Sequence, residues 1–517
     1  MQTTLESTFQ THDGLALFYR ARTQKSARGA IVLLHRGHEH SARMFHLADE
    51  LGLDDFSFFA YDARGLGRSP GTRGDAPGFS TLARDLDTFI THLETAHGIA
   101  PADVVVVAQS VGAVVATTWA HDYAPKIRGL VLASPAFSVK LYVPFARQGL
   151  ALMHKLFGNF FVNSYVKAQF LTHDVERIKS YEQDPLITRP ISVRILLGLY
   201  EAADRVVSDA QAITLPVQLL VSGADWVVRH EPQHSFFDRL PHPRKQKLVF
   251  PRFYHDTLGE KDRAPAVKAI HDFIEGLFSD APERLNRLDA HERGATFDEA
   301  QALARPLPWY SPRAWYWAAT RASLKFGALL SKGLALGQKT GFDSGSTLDY
   351  VYCNQAQGVP LVGTLIDRTY LDSIGWRGIR LRKQNLQELL VLAAARLRTA
   401  GKPVHIMDIA AGHGRYVVDA SGLYELFPDN DQVGRSLAGM ADAIESGGFL
   451  VYTGQPWHPQ LELIARALTS HRQGAAWVMR RRTQAEMDQL VETAGFRKIA
   501  QRVDPFGIFT VSLAVRR

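Results

Sequence analysis

The stretch VVVVAQSVGAVVA, residues 104–116, decides the fold of the first half of the chain. Four consecutive valines indicate a strand that is buried on both faces, as in parallel sheets covered by helices. The small and apolar residues from Val111 to Tyr123 favour a helix that packs against that sheet. Ser110 therefore lies at a turn from a strand into a helix.

A serine at such a turn is either a nucleophile or a polar residue at the end of a buried strand. The Gly-x-Ser-x-Gly turn called a nucleophile elbow uses small flanking residues to lift the hydroxyl above the sheet. Here Ala108 takes the first glycine position and Gly112 the second. Alanine is the least bulky substitute, so the turn remains sterically open. A serine nucleophile also needs a base and an orienting acid.

Two later strands predict these partners. The run 217–221 leads into a loop that carries Asp225, and the run 247–250 is followed by a loop that carries His255. The chain order Ser, Asp, His is that of α/β-hydrolases. In this arrangement Ser110 attacks an acyl carbonyl, His255 moves the proton, and Asp225 orients the imidazole. Taken singly, the two residues also fit a hydrophilic loop and a surface histidine.

The loop HRGHEHS, residues 35–41, follows another apolar run. It resembles the His-Gly-x-Gly-Glu-His-Ser loop of monoglyceride lipases and related lysophospholipases, with Arg36 in place of a glycine. The resemblance implies that the backbone N–H groups of Gly37 and Val111 hold the oxyanion, each such donor being worth about 2.7–4 kcal/mol. Three histidines here also suggest a metal site, but no carboxylate or cysteine cluster completes a ligand set, and we predict none.

Further stretches extend this resemblance. AYDARGLGRSPG, residues 60–71, is similar to the Asp-x-x-Gly-x-Gly-x-Ser turn of the family, in which Asp62 has a structural role. Residues 137–212, approximately, depart from the alternation of strands and helices, which predicts a helical cap. Within it, LTHDVERIKSYEQDPLI, residues 171–187, looks like the family's cap segment. An apolar stripe of this cap either lines an acyl-chain tunnel or packs as core.

Composition limits the remaining possibilities. The chain has 517 residues, of which 46% are hydrophobic, enough for more than one ordinary domain. A single cysteine, Cys353, excludes internal disulfides and indicates a reducing compartment. The first residues lack the pattern of a secretory signal, so we expect a cytoplasmic location. The net charge of +7 is spread along the chain apart from residues 480–482, which does not favour nucleic acid as a partner.

The first domain is expected to cover residues 1–280, and residues 281–345 are predicted to form a linker. Within the linker, segment 309–340 combines tryptophans and tyrosines with lysines and arginines. The cations interrupt it too often for a helix that crosses a bilayer. Two interpretations remain: an amphipathic helix that contacts anionic lipid at the inner face of the membrane, or a helix packed between two domains.

A second set of signals begins after residue 345. KPVHIMDIAAGHGRYVVDA, residues 402–420, predicts a buried strand, a glycine-rich loop and a helix. It resembles the first motif of class I S-adenosylmethionine-dependent methyltransferases, with alanine at the first glycine position. The resemblance implies a Rossmann-like domain over residues 346–517. It also implies S-adenosylmethionine as cofactor, bound by Asp408, Ala410, Gly412, His413 and Gly414. Residues 495–515 predict the antiparallel hairpin that closes such sheets.

The whole chain resembles bacterial proteins that fuse an α/β-hydrolase to a class I methyltransferase. One departure concerns the short interval between Asp408 and the segment SGLYELFPDN, residues 421–430, where the family has its second and third strands. The acidic residue for the ribose hydroxyls should end that second strand. We therefore expect weak or no binding of S-adenosylmethionine. An exposed sheet edge would also favour pairing with a second copy, as a homodimer.

Together, these patterns predict an α/β protein: an α/β-hydrolase with a helical cap, fused to a shortened Rossmann-like methyltransferase domain. The hydrolase is expected to cleave lipid-like carboxylic esters of the monoacylglycerol or lysophospholipid type through Ser110, without a cofactor. Three alternatives remain open at this point. They are an amidase or aminopeptidase-like hydrolase, a methyltransferase with a vestigial hydrolase, and a non-enzymatic scaffold on a lipid surface.

Overall fold

A computed structural model describes residues 4–164, 166–407 and 427–517 of the chain. The chain divides into two compact units, Met1–Leu285 and Asn286–Arg517. Most of the segment 281–345, which we predicted to be a linker, therefore lies inside the second unit.

The first unit alternates strands and helices along most of its length. Its strands are β1 (Leu5–Gln10), β2 (Ala16–Arg22), β3 (Gly29–Leu34), β4 (Phe56–Tyr61), β5 (Val104–Gln109), β6 (Gly129–Ala133), β7 (Phe161–Asn163), β8 (Pro190–Ser192), β9 (Val217–Ser222) and β10 (Lys245–Phe250). Its helices are α1 (Leu47–Glu50), α2 (Phe79–His97), α3 (Val111–Tyr123), α4 (Ala146–Phe157), α5 (Val175–Gln183), α6 (Val193–Ser208), α7 (Glu231–Arg239) and α8 (Ala264–Ser279).

Eight of these strands form one sheet, in the order β1-β2-β4-β3-β5-β6-β9-β10. The pairs from β4 to β10 are parallel, and only β1 and β2 join the sheet in antiparallel fashion. β5 lies between β3 and β6, at the centre of the sheet. The carboxyl ends of the parallel strands therefore meet at one edge, which is where ligands bind in open sheets of this kind. This confirms the predicted α/β-hydrolase fold.

The apolar runs of the sequence explain why the centre of the sheet is covered on both faces. Every residue of β3, β4, β5 and β6 is buried. On one face, residues such as Ile31, Phe58 and Val105 pack against α1 and α8. Helices α2 and α3 pack against the sheet as well, and α6 packs against these two helices. Such double burial requires continuous rather than alternating apolar residues.

The chain between β6 and β9 forms the cap that the sequence predicted over residues 137–212. It contains α4, the short antiparallel pair β7–β8, α5 and α6. Asp174 and Ser192 cap the amino ends of α5 and α6 through their side chains. Helix α4 has no buried residue, so the cap presents apolar side chains to the outside.

The second unit is mostly helical. Its helices are α9 (Ala295–Ala304), α10 (Pro312–Ala328), α11 (Lys332–Thr340), α12 (Gly345–Cys353), α13 (Val362–Leu371), α14 (Ile374–Thr399), α15 (Asn430–Ala443), α16 (Leu461–Ala467) and α17 (Gln484–Thr493). Its strands are β11 (Phe449–Gly454), β12 (Phe496–Val503) and β13 (Thr510–Arg516).

These three strands form an antiparallel sheet in the order β11-β13-β12. The pair β12–β13 is the hairpin that the sequence predicted over residues 495–515. Leu386 and Leu389 of α14 pack against Leu513 on one face of the sheet. Helices α15 and α17 pack against the neighbouring side chains, including Leu450, on the other face.

The predicted strand before Asp408 is not present over the residues that the structure describes. Residues 402–407 have no regular secondary structure, and Ile406 and Met407 are 55% and 65% exposed. That part of the prediction is wrong, because a strand needs a neighbour to satisfy its backbone hydrogen bonds. An apolar run does not supply that neighbour, and no described strand pairs with these residues.

The run of three arginines at residues 480–482 is buried in the second unit. Arg480 donates to Glu486 over 2.7 Å, and Arg482 donates to Asn430 over 2.8 Å. Arg481 donates to Glu299 over 2.5 Å. This run therefore does not form an exposed basic patch.

Across the described ranges, we find no helix that combines the length and the apolar character needed to span a bilayer.

Candidate active site

Ser110 lies at the carboxyl end of β5, and α3 begins at the next residue. Its backbone has φ 55° and ψ −116°, a conformation that a non-glycine residue rarely adopts. The backbone N–H of Ser110 donates to Ala133 O over 3.0 Å, and Ser110 O accepts from Ala136 N over 3.2 Å. Bonds from the neighbouring strand β6 and the loop after it therefore hold the strained turn in place.

A Cβ atom is excluded at Gly112 of the elbow but not at Ala108. A Cβ atom on Gly112 would lie 2.5 Å from the backbone oxygen of His35, a distance that real Cβ atoms do not reach. Ala108, at the first glycine position, is instead an ordinary buried strand residue that pairs with Leu34 and Leu132. This explains why alanine is accepted at one position while glycine stays at the other.

The structure brings Ser110, His255 and Asp225 together from three different strand ends. His255 Nε2 lies 2.7 Å from Ser110 Oγ, and His255 Nδ1 lies 2.7 Å from Asp225 Oδ2. All three side chains are buried. Since a carboxylate only accepts, Nδ1 carries the proton and Nε2 is free to accept the proton of the serine hydroxyl.

Asp225 is held as a carboxylate by its surroundings. Burial alone would raise its pKa, but His255 and the backbone N–H groups of Val227 and Val228 keep the pKa below the ordinary value. Those N–H groups donate to Oδ1 over 2.7 and 3.0 Å. The second oxygen, Oδ2, is thus left for the imidazole.

Gly37 and Val111 line the same cavity as Ser110. A Cβ atom on Gly37 would lie 3.0 Å from Val111 Cγ2, so the backbone of Gly37 packs against the side chain of Val111. Val111 is the first residue of α3, where backbone N–H groups have no acceptor inside the helix. Neither backbone N–H donates to another described residue. Both are therefore available as donors beside Ser110.

The three histidines of the loop 35–41 have separate partners. His35 Nδ1 contacts the backbone oxygen of Arg36, and His38 Nδ1 contacts that of Thr188. His40 Nε2 lies 2.9 Å from Asp184 Oδ2. Among the described residues, ligand-type side chains converge only at His291, Asp429 and Asp431, which are partly exposed and belong to the second unit.

Asp62 has the structural role that the resemblance implies. Its two carboxylate oxygens accept the backbone N–H groups of Ser41 and Arg68 over 2.6 and 2.7 Å. It therefore ties the turn after β4 to the loop after β3.

Sequence reasoning missed a buried cluster of ion pairs next to the triad. Asp256, directly after His255, accepts from Gln109 over 2.8 Å and from Arg177 Nε over 2.5 Å. Burial would raise the pKa of Asp256, but Arg177 and Arg36 hold it far below its ordinary range. The only signal in the sequence was Arg36 at a position where the resemblance expects glycine.

Ser110 and His255 line one cavity, which we call the reaction cavity. The cap supplies most of the aliphatic side chains that line it: Val139, Leu141, Val162, Val166, Leu171, Ile191, Leu196 and Leu199. A second cavity lies beside it. The two share Arg36, Gly37, His38, Val111 and Ile191 as lining residues.

The cofactor residues implied for the second unit cannot be placed. Asp408, Ala410, Gly412, His413 and Gly414 all lie outside the described residues.

Comparison with known proteins agrees with this division of the chain. The family model described as "Serine aminopeptidase, S33" matches residues 25–262, and the family model described as "Putative methyltransferase" matches residues 270–421 and 419–516. The chain is also 49% identical to "Uncharacterized protein YnbC" of Escherichia coli (strain K12), over 99% of this chain and 98% of the relative.

The chain belongs to the YnbC family. Its first unit is an α/β-hydrolase of the monoglyceride lipase and esterase type, and its second unit contains a methyltransferase-like domain. A monoacylglycerol lipase of Mycolicibacterium smegmatis is 26% identical over 52% of this chain and 96% of its own length. The crystal structure of the Paleococcus ferrophilus monoacylglycerol lipase, also 26% identical, covers 51% of this chain and 98% of its own, with a TM-score of 0.46.

Proposed function

We propose that the first unit is a serine ester hydrolase. The observation that carries this proposal is the continuous hydrogen-bond path from Ser110 through His255 to Asp225, with both distances at 2.7 Å. The strained turn at Ser110 adds to it, because such strain is typical of a catalytic nucleophile.

The geometry supports a two-step reaction. Ser110 Oγ attacks the ester carbonyl while His255 Nε2 takes its proton, and the backbone N–H groups of Gly37 and Val111 stabilise the oxyanion. The carbon–oxygen bond to the alcohol then breaks, and His255 returns the proton to the leaving alcohol. Water then attacks the carbonyl of the acyl-enzyme while His255 takes a proton from it. The bond to Ser110 Oγ breaks, His255 returns the proton to the serine, and the carboxylic acid is released. Asp225 stabilises the imidazolium in both steps.

The lining of the reaction cavity supports an ester with an apolar acyl chain. Aliphatic side chains of the cap dominate it, and burial of a hydrocarbon chain contributes about 0.8 kcal/mol for each methylene. The monoacylglycerol lipase of M. smegmatis is a relative whose name indicates such a substrate. We therefore propose esters of the monoacylglycerol or lysophospholipid type.

An aminopeptidase-like activity is the second candidate, because the matching family model is described as a serine aminopeptidase. Binding a free amino group at the end of a peptide calls for a carboxylate in the site. None of the described residues that line the reaction cavity is an aspartate or glutamate. This observation favours the ester.

A lipid surface is the partner that we propose for the second unit. Residues 306–342 hold five lysines and arginines and no acidic residue. Trp309, Trp315 and Tyr316 are 81%, 66% and 62% exposed, whereas Trp317 is buried and donates to Glu462. One side of α10 thus packs within the unit while aromatic side chains and cations face outward, as on helices that lie on anionic lipid. A cytoplasmic protein with peripheral contact to the membrane fits this proposal.

For the methyltransferase-like domain, we propose weak or no binding of S-adenosylmethionine. The family model matches in two pieces that meet at residues 419–421, inside the interval that we predicted to be shortened. The alignment with YnbC runs over 576 residues although this chain has only 517, so the relative contains residues without a counterpart here. Loss of the second strand would remove the wall that holds the ribose and adenine, and the exposed edge would favour a homodimer.

Ser110→Ala should abolish labelling by a fluorophosphonate probe and the turnover of p-nitrophenyl esters, because no other hydroxyl contacts His255 in the described residues. The midpoint of thermal unfolding should change little. Ser222→Ala is a matched control, since Ser222 is also a buried serine at a strand end but contacts Thr257. Ester turnover at the wild-type rate in Ser110→Ala would contradict the proposal.

Asp225→Asn should lower kcat by up to about four orders of magnitude, because the amide would favour the wrong imidazole tautomer. Steady-state ester hydrolysis measures this effect. Asp62→Asn is the control: Asp62 is equally buried and accepts two backbone N–H groups, but it lies outside the triad. If Asp225→Asn kept full activity, another group would have to orient His255.

The triple variant Trp309→Ser, Trp315→Ser and Tyr316→Ser should lose flotation with anionic vesicles, because it removes the exposed aromatic rings next to the cations. Vesicles of neutral lipid should float little of the wild type. A control variant replaces Phe145 and Phe157 by serine, since these rings are 80% and 76% exposed but lie on the cap. Loss of flotation in the control alone would assign lipid contact to the cap instead.

Isothermal titration of the full chain with S-adenosylmethionine should show little or no saturable heat. Any residual heat should disappear in Gly412→Val, which would fill the glycine-rich loop that the resemblance assigns to the cofactor. Tight binding with a stoichiometry of one would show that other residues form the pocket and would overturn the proposal.

A further inference from the structure

The reaction cavity contains one permanently charged side chain among its described lining residues, the guanidinium of Arg36. The remaining lining residues are apolar or neutral, apart from the histidines. Arg36 also lines the second cavity, so it lies at the junction of the two. A cationic group in an apolar cavity is costly unless an acceptor satisfies it.

The bonds of Arg36 leave one edge of the guanidinium unused. Nε and Nη2 donate to the two oxygens of Glu39 over 2.7 and 2.6 Å, and Nη2 lies 3.7 Å from Asp256 Oδ2. Nη1 makes no hydrogen bond to any residue that the structure describes, although the side chain is only 5% exposed. Since a guanidinium has two N–H groups on each terminal nitrogen, two donors remain for a ligand in the cavity.

Arg36 lines the same cavity as Ser110 and His255. Asp256, next to Arg36, directly follows His255 and accepts from Gln109, which directly precedes Ser110. The guanidinium is thus tied to both chain segments that carry the nucleophile and the base. A substrate group that reaches Arg36 therefore lies in the same cavity as the nucleophile and the base.

Neighbouring arginines already engage the carboxylates around Arg36. Arg43 Nε donates to Glu39 over 2.8 Å, and Arg177 Nε donates to Asp256 over 2.5 Å. Three guanidinium groups therefore share two fully buried carboxylates.

The next carboxylate of this cluster, Asp184, is partly exposed and binds His40 over 2.9 Å. It lies 3.6 Å from Arg43 and does not line either cavity. None of these three carboxylates is among the described residues that line the reaction cavity, whereas Arg36 is.

We propose that Arg36 binds an anionic group, a phosphate or a carboxylate, in the alcohol part of the ester substrate. The inference rests on the proposed hydrolase function and narrows its substrate class. The apolar lining takes the acyl chain, while the unused Nη1 edge donates two charge-assisted hydrogen bonds to anionic oxygens near the ester. Neutral esters would leave these donors without an acceptor, so the enzyme should discriminate against them.

The test compares kcat/KM for matched octanoyl esters below their critical micelle concentrations. One pair is 1-octanoylglycerol 3-phosphate against 1-octanoylglycerol, and the other is O-octanoylglycolate against its methyl ester. The wild type should prefer the anionic member of at least one pair about tenfold or more, which corresponds to about 1.4 kcal/mol. The pair with the larger ratio of kcat/KM between its anionic and neutral members shows whether the site prefers a phosphate or a carboxylate.

Arg36→Met should remove this preference, chiefly through a higher KM for the anionic ester. Arg43→Met is the matched control, because Arg43 is also buried, also binds Glu39, and also lies near the Tyr181 ring, but lines neither cavity. The control should keep the preference. If Arg36→Met does not fold, Arg36→Lys, which keeps the charge but not the paired donors, should show a reduced preference.

Equal rates on both members of each pair in the wild type would overturn the inference and leave the hydrolase proposal intact. An equal loss of preference in Arg36→Met and Arg43→Met would also overturn it, since it would assign the effect to the cluster rather than to Nη1. Absence of fluorophosphonate labelling and of any ester turnover would instead refute the hydrolase proposal, and this inference with it.

Discussion

The left-handed backbone at Ser110 is the constraint on which the rest of the hydrolase unit depends. The turn costs conformational energy, since a φ of 55° is unfavourable for any residue with a Cβ atom. It persists because β5 lies in the middle of the sheet and its end is bonded to the end of β6. The apolar strands at the centre of the sheet thus supply the stability that keeps one hydroxyl exposed to the reaction cavity.

The same arrangement explains how distant residues meet. His255 and Asp225 follow β10 and β9, which lie beyond β6 in the sheet. Because these strands are parallel, their carboxyl ends open on the same edge as the end of β5. The buried cluster around Asp256 then couples the loops: Gln109, Arg36 and Arg177 reach it from β5, from the loop after β3 and from the cap. A cap segment therefore takes part in holding the loops of the site.

The second unit has a small antiparallel sheet in place of the mostly parallel sheet of the first unit. Its sheet has three antiparallel strands within the described ranges, and α14, α15 and α17 cover the two faces. Buried arginines bind partners far along the chain, as Arg480 does with Asn430 and Arg481 with Glu299. The aromatic helix α10 belongs to this unit and still leaves several rings exposed.

The sequence by itself determined the central strands of the hydrolase sheet, because continuous apolar runs such as 104–107 have few structural solutions, whereas it did not predict β1 and β2. It also determined the order of Ser110, Asp225 and His255 and the closing hairpin of the second unit. Only the tertiary structure decided the bonding of Arg36, the role of Asp256 and the burial of residues 480–482. The role of Asp256 and the burial of residues 480–482 depend on partners that are distant in the chain, and composition does not reveal such partners. The bond from Arg36 to Glu39 is local, but the approach of Arg36 to Asp256 is not. Residues 402–407 show the same limit: their apolar character suggested a strand, but pairing requires a neighbour that local sequence cannot supply.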